Sequence, residues 1–205
     1  MKLSIQHLLR AYQNNAPNLK ELTENVARNL IEQIDTLSEI ASEFSNYASM
    51  PKAELENLDV NEVLKSTCAL YTENDVATIH LHSYAERSLV EADKSQLIRV
   101  FNNLLLNALQ SIPEQRQGVV DVITENVDGQ IVVSVRDNGI GIPEEEKAKV
   151  FIPNFTTKSS GTGLGLALSR NIIESFGGTI SFKSQRDAGT TFFIRLPLIT
   201  EISLS

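Results

Sequence analysis

The stretch Val135 to Leu166, VRDNGIGIPEEEKAKVFIPNFTTKSSGTGLGL, gathers residues whose types and spacing could do chemistry. Asp137 follows an alternating apolar run, Ile131, Val133 and Val135, which places it at the end of a half-buried strand. A carboxylate there only accepts hydrogen bonds, and one donated by an exocyclic amine such as adenine N6 is worth roughly 1.5–3 kcal/mol. Gly139 and Gly141 remove side chains where a flat base must approach the backbone. At the far end Gly161, Gly163 and Gly165 run into the helical spacing Leu164, Leu168, Ile172, Ile173 and Phe176. Backbone N–H groups and a helix N-terminus can therefore face phosphates there, with the Lys158 ammonium beside them. Taken alone, the glycines of GTGLGL serve equally well as turn formers. A second pair, Asn103 and Asn107 in FNNLLLNALQSI, is four residues apart and so shares one helix face. An Asn side-chain oxygen is a hard neutral ligand of the kind Mg2+ accepts alongside water and phosphate. By itself this segment reads more readily as the polar edge of a helix.

These residues need elements to position them. Residues 1–14 carry Ile5, Leu8, Leu9 and Tyr12 at helical spacing, and NNAPN at 14–18 supplies a break and a turn. A long helix follows, with a seam of Leu19, Leu22, Val26, Leu30, Ile34, Leu37, Ala41, Phe44 and Ala48, stopping near Met50-Pro51. After a polar linker come a short strand LDV at 58–60 and a helix over 61–71 with Val63, Leu64 and Leu70 inward. Strands are expected at 77–83 and 89–92, and a helix at 94–112 with Leu97, Ile98, Phe101, Leu104, Leu105, Ala108 and Leu109 in the core. Strands 119–125 and 130–136 join through Asp128-Gly129, a hairpin signal, and strands 179–184 and 191–196 complete a mixed sheet. The insert Ile140 to Thr162 is polar and glycine-bounded, with Phe151 and Phe155 inside it; this predicts a mobile lid over the site.

A chain of 205 residues with 41% hydrophobic content can build one sizeable core and a smaller element. Its net charge of −8 argues against nucleic acid or an anionic membrane surface as the main partner. No secretory leader and no apolar run near 18 residues is present, so the piece is expected to be soluble and cytoplasmic. Cys68, the single cysteine, sits among apolar neighbours and reads as a core thiol. His80 and His82 are two apart in ATIHLHS and point to one face, but no carboxylate or cysteine motif beside them completes a metal set.

DNGIGIP, FIPNFTTK and GTGLGL, with FNNLLLNALQSI upstream, resemble the two glycine boxes, the phenylalanine box and the asparagine box of sensor histidine kinases. Those kinases share a superfamily with type II topoisomerases, Hsp90 chaperones and MutL proteins. The resemblance implies an α+β architecture: an N-terminal helical hairpin, forming a four-helix bundle as a homodimer, followed by a two-layer α/β sandwich. Residues 1–50 correspond to the dimerisation and phosphotransfer hairpin, 51–57 to a linker, 58–198 to the catalytic ATP-binding domain and 199–205 to a tail. ATP and Mg2+ are the implied cofactors. The implied ATP-binding residues are Asn103, Asn107, Asp137, Gly139, Gly141, Ile142, Phe151, Phe155, Thr156, Thr157, Lys158, Gly161, Thr162, Gly163, Leu164, Gly165, Leu166 and Thr190. Among them Asn103, Asn107 and Lys158 serve catalysis, and Asn107 is the Mg2+ ligand.

The hydrolytic relatives carry a glutamate four residues before the metal asparagine, placed to activate water. Here that position is Asn103, so the site is expected to protect ATP and pass its γ-phosphoryl to another nucleophile. Gln110 replaces the usual basic residue three after Asn107, whose phosphate contact Lys158 is expected to supply, and the Asn-Ala-x-x-Ser ending from Asn107 to Ser111 is closer to the nitrogen-regulation subgroup. The His-Glu-x-x-Asn-Pro acceptor box is absent, and His7, followed by Leu8 and Leu9, does not match it. A first arm of about 14 residues against a second of about 32 points to a truncated hairpin with the box upstream of Met1. The expected acceptor is thus a histidine outside this chain, with relay to a response-regulator aspartate; autophosphorylation of this piece is not expected. The full-length protein is expected to be membrane-associated. A hydrolytic ATPase of the Hsp90 or MutL kind, or a nucleotide-sensing dimerisation scaffold without chemistry, are the alternatives.

Overall fold

In the computed structural model the backbone is described for residues 2–14, 19–48, 53–156 and 162–199, and the side chains for these except 2, 3, 32 and 35–48. The end of the NNAPN turn, the Met50-Pro51 stop, the seam side chains from Leu37 to Ala48, and the site candidates Thr157, Lys158 and Gly161 lie outside the described residues. The chain divides into two compact units, the helices of residues 1–49 and a unit of residues 50–157 and 163–205.

The first unit is a pair of helices, α1 (Lys2–Gln13) and α2 (Leu19–Ala48), which contact each other. Burial on α2 follows its apolar seam: Val26 is buried and Leu19, Leu22 and Leu30 are half-buried, while the Glu, Asn and Gln between them are exposed. On α1 only Leu8 of the expected apolar face is shielded, together with Ser4 and Ala11. Ile5, Leu9 and Tyr12 are exposed, as are Ile31 and Ile34 of α2.

In the second unit, β1 (Glu56–Asp59) pairs antiparallel with β3 (Leu89–Ala92) as a separate ribbon. The main sheet has five strands in the order β2 (Ala77–Ser83), β4 (Gly118–Val127), β5 (Gln130–Asp137), β7 (Gly189–Pro197), β6 (Thr179–Gln185). Only the β2/β4 pair is parallel, so the sheet is mixed. Helices α3 (Val60–Ala69), α4 (Lys94–Gln110) and α6 (Gly165–Ser175) pack on this unit. The core lies between helices and sheet: Leu64, Leu97, Phe101, Leu104, Leu105 and Ile173 meet Val120, Val122, Val133, Val135 and Ile194, all fully or nearly fully buried. At 4.7–4.9 Å per strand, a five-stranded sheet offers an area three helices can cover on one side, which is why burial alternates along β4 from Gly118 to Thr124.

Two expectations need correction. Val60 belongs to α3 and not to the strand, because the Asp59 side chain accepts from the Asn61 and Glu62 N–H groups and starts the helix there. Leu70 points out, 71% exposed, because α3 ends at Ala69 and Leu70 is its C-terminal cap.

Candidate nucleotide site

Asp137 closes β5 and is 4% exposed. Its Oδ1 accepts three hydrogen bonds: from the Gly139 N–H at 2.8 Å, the Thr190 N–H at 3.1 Å and the Ser111 hydroxyl at 3.1 Å. Among the described residues none donates to Oδ2. Burial pushes the carboxyl above its ordinary range, with the three donors pulling the other way. A buried carboxylate with one oxygen saturated is an acceptor aimed by its surroundings, short of one donor.

The close approach of three segments explains the glycines here. A Cβ at Gly139 would lie 2.0 Å from Ser111 Oγ, and one at Gly189, where φ is +96°, would lie 2.0 Å from the Asp137 carbonyl oxygen. Gly141, at φ +69°, faces the Gln185 carbonyl in the same manner. The segment around them is tied down by backbone bonds: Asp187 N–H to Ile140 carbonyl at 2.7 Å, and Ile142 N–H to Ser184 Oγ at 2.7 Å. Arg116 caps the loop by donating to the Asn138 carbonyl and, at 2.7 Å, to the Gly139 carbonyl.

Asn103, Asn107 and Ser111 recur every four residues along α4 and just beyond it, a polar stripe spanning about 12 Å at 1.5 Å rise per residue. Asn107 Nδ2 donates to Asn103 Oδ1 at 3.2 Å, Asn103 Nδ2 donates to Ser169 Oγ at 2.8 Å, and Ser169 Oγ donates to the Gly165 carbonyl at 2.9 Å. This chain of bonds fixes α4 against the first turn of α6. Gly165 is required for it, since a Cβ would meet Asn103 Oδ1 at 2.3 Å. The first turn of α6 has no acidic residue and, among the described residues, no side-chain cap hydrogen bond.

Between these ends runs the insert. It contains the short α5 (Glu144–Lys147) and is anchored by buried Val150 and by Phe151, whose ring meets Phe182 edge-on at 5.9 Å and lies under the Arg170 guanidinium. Phe155 is half-buried beneath Lys149 Nζ, 5.8 Å from the ring centroid, and Thr156 is exposed. Asn154 N–H donates to the Gly163 carbonyl at 3.0 Å, and Thr162 is half-buried. Gly163, at φ +69°, packs on the Phe155 carbonyl. Leu164 is buried, and Ile142 and Leu166 are half-buried.

Asp137, Gly139, Gly141 and Thr190 thus meet at one end of the α4 stripe, and Asn103, Asn107 and Gly165 at the other. Sequence reasoning missed Ser111, Ser169, Gly189, Ser184, Arg116 and Val150. Ser111 was legible as the next member of the four-residue repeat after Asn107. The others act through chain segments distant in sequence and carry no local signal. Asn107 fits Mg2+ chemically in its donor type: its amide oxygen is a hard neutral donor, and its nitrogen is bonded to Asn103 Oδ1.

A family model described as histidine kinase-, DNA gyrase B-, and HSP90-like ATPase matches residues 92–200, and the chain belongs to that family. Within it the relatives are sensor histidine kinases. The chain is 33% identical over 198 residues to sensor histidine kinase ZraS of Escherichia coli K12, covering 95% of this chain and 42% of ZraS. To nitrogen regulation protein NtrY of Azorhizobium caulinodans it is 28% identical over 206 residues, 98% of this chain and 27% of NtrY. It therefore spans less than half the length of these relatives. The nucleotide-free catalytic domain of histidine kinase ThkA superposes with a TM-score of 0.63 at 34% identity, over 71% of this chain and 96% of that domain. ThkA in complex with its response regulator TrrA gives 0.71 at 26% identity, over 96% of this chain and 57% of that one. Among the described residues no helix is long and apolar enough to cross a membrane.

Proposed function

We propose that this chain is the ATP-binding and phosphoryl-donating core of a two-component sensor histidine kinase. The observation that carries this reading is the Asp137 carboxylate, buried with its Oδ1 saturated, which is suited to take the N6 amine of adenine on Oδ2. Ser111 and the glycine-lined floor then flank the base. The α4 stripe leads from there toward Asn107, which would hold Mg2+, and toward the first turn of α6, which carries no acidic residue and suits the β- and γ-phosphates. Bound Mg2+ would neutralise charge between the phosphates. Lys158, Gly161, Thr162, Gly163 and the lid from Ile140 carry the remaining phosphate contacts on this reading. Phe151 and Phe155 would act as its anchors.

Asn103 is bonded on both sides within the α4–α6 ladder and is neutral. It holds Asn107 and has no basic function to offer a water molecule, which favours transfer over hydrolysis. The acceptor would be a histidine on the hairpin helix of a complete kinase, and the next acceptor an aspartate of a response regulator. The α1–α2 pair would dimerise into a four-helix bundle, which accords with the exposure of Ile5, Leu9, Tyr12, Ile31 and Ile34. Residues 1–50 would serve that role, 51–57 would link, 58–198 would bind nucleotide and 199–205 would form a tail. On this reading the site would face the cytoplasm, where ATP is, and the whole protein would sit at the membrane.

Isothermal titration of ATP tests this. ATP with Mg2+ is expected to bind the wild-type chain once, and Asn107→Ala is expected to abolish the difference between titrations with and without Mg2+. ATP binding that is equal with and without Mg2+ in the wild type would overturn the metal assignment; no ATP binding by the folded chain would overturn the site.

A further inference from the structure

His80, His82 and Asp121 converge on the sheet face opposite the buried one. Along β4 the residues Val120, Val122 and Thr124 are buried, whereas Asp121 between them is only half-buried. His80 is the register partner of Asp121 in the parallel β2/β4 pair, and His82, two residues on, shares that face. His80 Nδ1 lies 3.1 Å from Asp121 Oδ1, and His82 Nε2 lies 4.0 Å from the same oxygen. One ligand atom from each of the three lies within 4.8 Å of the other two. Tyr84 stacks on the His82 ring, with centroids 5.9 Å apart and planes 14° from parallel, which holds that imidazole in place.

A hydrogen bond explains the His80 contact alone. It does not explain a second imidazole, offering its other nitrogen, aimed at the same carboxylate oxygen. Ligands held tetrahedrally at about 2.0–2.2 Å from Zn2+ stand about 3.4 Å from one another, so side-chain rotation alone brings these three into range. Two imidazoles and a carboxylate suit Zn2+ and its neighbours in the first transition row. They do not suit Mg2+, which demands oxygen.

We infer that His80, His82 and Asp121 form a three-ligand site for a divalent transition ion of the zinc class, with water at the open position. The site ties the edge strand β2 to β4, and it is built of residues the nucleotide site does not use, so it stands whether or not the kinase reading does. Its formation displaces the His80–Asp121 hydrogen bond and needs both imidazoles neutral. Arg136, the register partner of Asp121 on β5, is the neighbouring charge against which the ion must compete.

The test is isothermal titration of ZnCl2 into the nucleotide-free chain, with Co2+ absorption as the signature of tetrahedral nitrogen and oxygen ligation. One ion per chain is expected. Loss of an outer partner of a metal ligand costs about 10–100-fold in affinity, so loss of a ligand in His82→Ala or Asp121→Asn is expected to cost at least about tenfold. Asp121→Asn keeps the shape of the surface and guards against a folding defect in the other variant. His7→Ala, in the helical unit, is expected to bind as wild type. Absence of Zn2+ binding by the wild type, a change below about tenfold in both ligand variants, or loss in His7→Ala overturns the site.

Discussion

Asp137→Asn separates the fold from the site. Asn retains the volume and an sp2 oxygen, so the donors from Gly139, Thr190 and Ser111 keep their acceptor. It removes a charge whose burial already pushes the carboxyl upward. Stability near neutral pH is therefore expected to stay within about 1 kcal/mol of wild type, since the weaker neutral hydrogen bonds are offset by the relieved desolvation. Alanine is a poorer choice, because it strands the buried Gly139 and Thr190 N–H groups at about 1–3 kcal/mol each. For ATP the Asn substitution is severe. Either its Nδ2 faces the N6 amine, donor against donor, or the amide flips and sets Nδ2 against three internal donors. Loss of one charge-assisted bond, roughly 1.5–3 kcal/mol, corresponds to an ATP affinity about 10–150-fold weaker. Guanine presents an acceptor at the same position, so the preference for ATP over GTP should narrow. Urea unfolding and titration of both nucleotides read the two effects separately. An Asp137→Asn protein that is stably folded and binds ATP within about threefold of wild type would refute the assignment of Asp137 to the base.

The raised carboxyl also sets a pH dependence: its favourable contribution to stability is full below the ordinary value of 3.8 and is lost as pH rises through the raised value. On the proposed assignment ATP needs the ionised form, so affinity should fall as pH drops through that same range in wild type and stay flat in Asp137→Asn. Gly165→Ala places a methyl 2.3 Å from Asn103 Oδ1, and should break the Asn103–Ser169 and Asn107–Asn103 bonds. Alanine favours a helix by up to about 1 kcal/mol, so stability should change little while Mg-ATP affinity falls about tenfold or more, read by titration beside thermal unfolding. At Asp93, burial raises the pKa but is outweighed by bonds from Ser95, Gln96 and Glu54, which hold it below 3.8. Its stabilisation is present above that value and lost as pH falls through the folded one, so Asp93→Ala should cost about 1–2 kcal/mol near neutral pH and less in acid, by urea unfolding. Cys68 is buried, and desolvation pushes its thiol to about 11; it should resist a thiol reagent in the folded chain and react at once in denaturant.

What could be read from the chain alone follows the range of each signal. Asp137 stands at the end of an alternating run, and the glycines sit beside it in sequence, so the end of the site proposed for the base was local information. The four-residue spacing of Asn103 and Asn107 likewise needed only a helix. Gly189 was not legible, because its requirement comes from the Asp137 carbonyl, 2.0 Å from where a Cβ would stand. Ser169 matters only once α6 lies against α4. Leu70 was misplaced because a helix pattern does not say on which turn the helix stops. The Asp121 carboxylate could not be assigned to His80 and His82 from sequence, since it depends on the register of a parallel pair whose strands are separated by β3 and α4. On α1 the apolar spacing marks a face too wide for a single partner helix to bury, and Leu8 is shielded while Ile5, Leu9 and Tyr12 are exposed.

The most direct test is transfer in trans. The chain is mixed with radiolabelled Mg-ATP and a separately made hairpin that bears a His-Glu-x-x-Asn-Pro box, and acid-labile, base-stable label on the hairpin is followed. Label that requires the chain, disappears with Asp137→Asn and Asn107→Ala, and moves onward to a response regulator is the predicted result. Release of inorganic phosphate by the wild-type chain with no label on the hairpin would contradict the account and make the chain a hydrolytic member of its family.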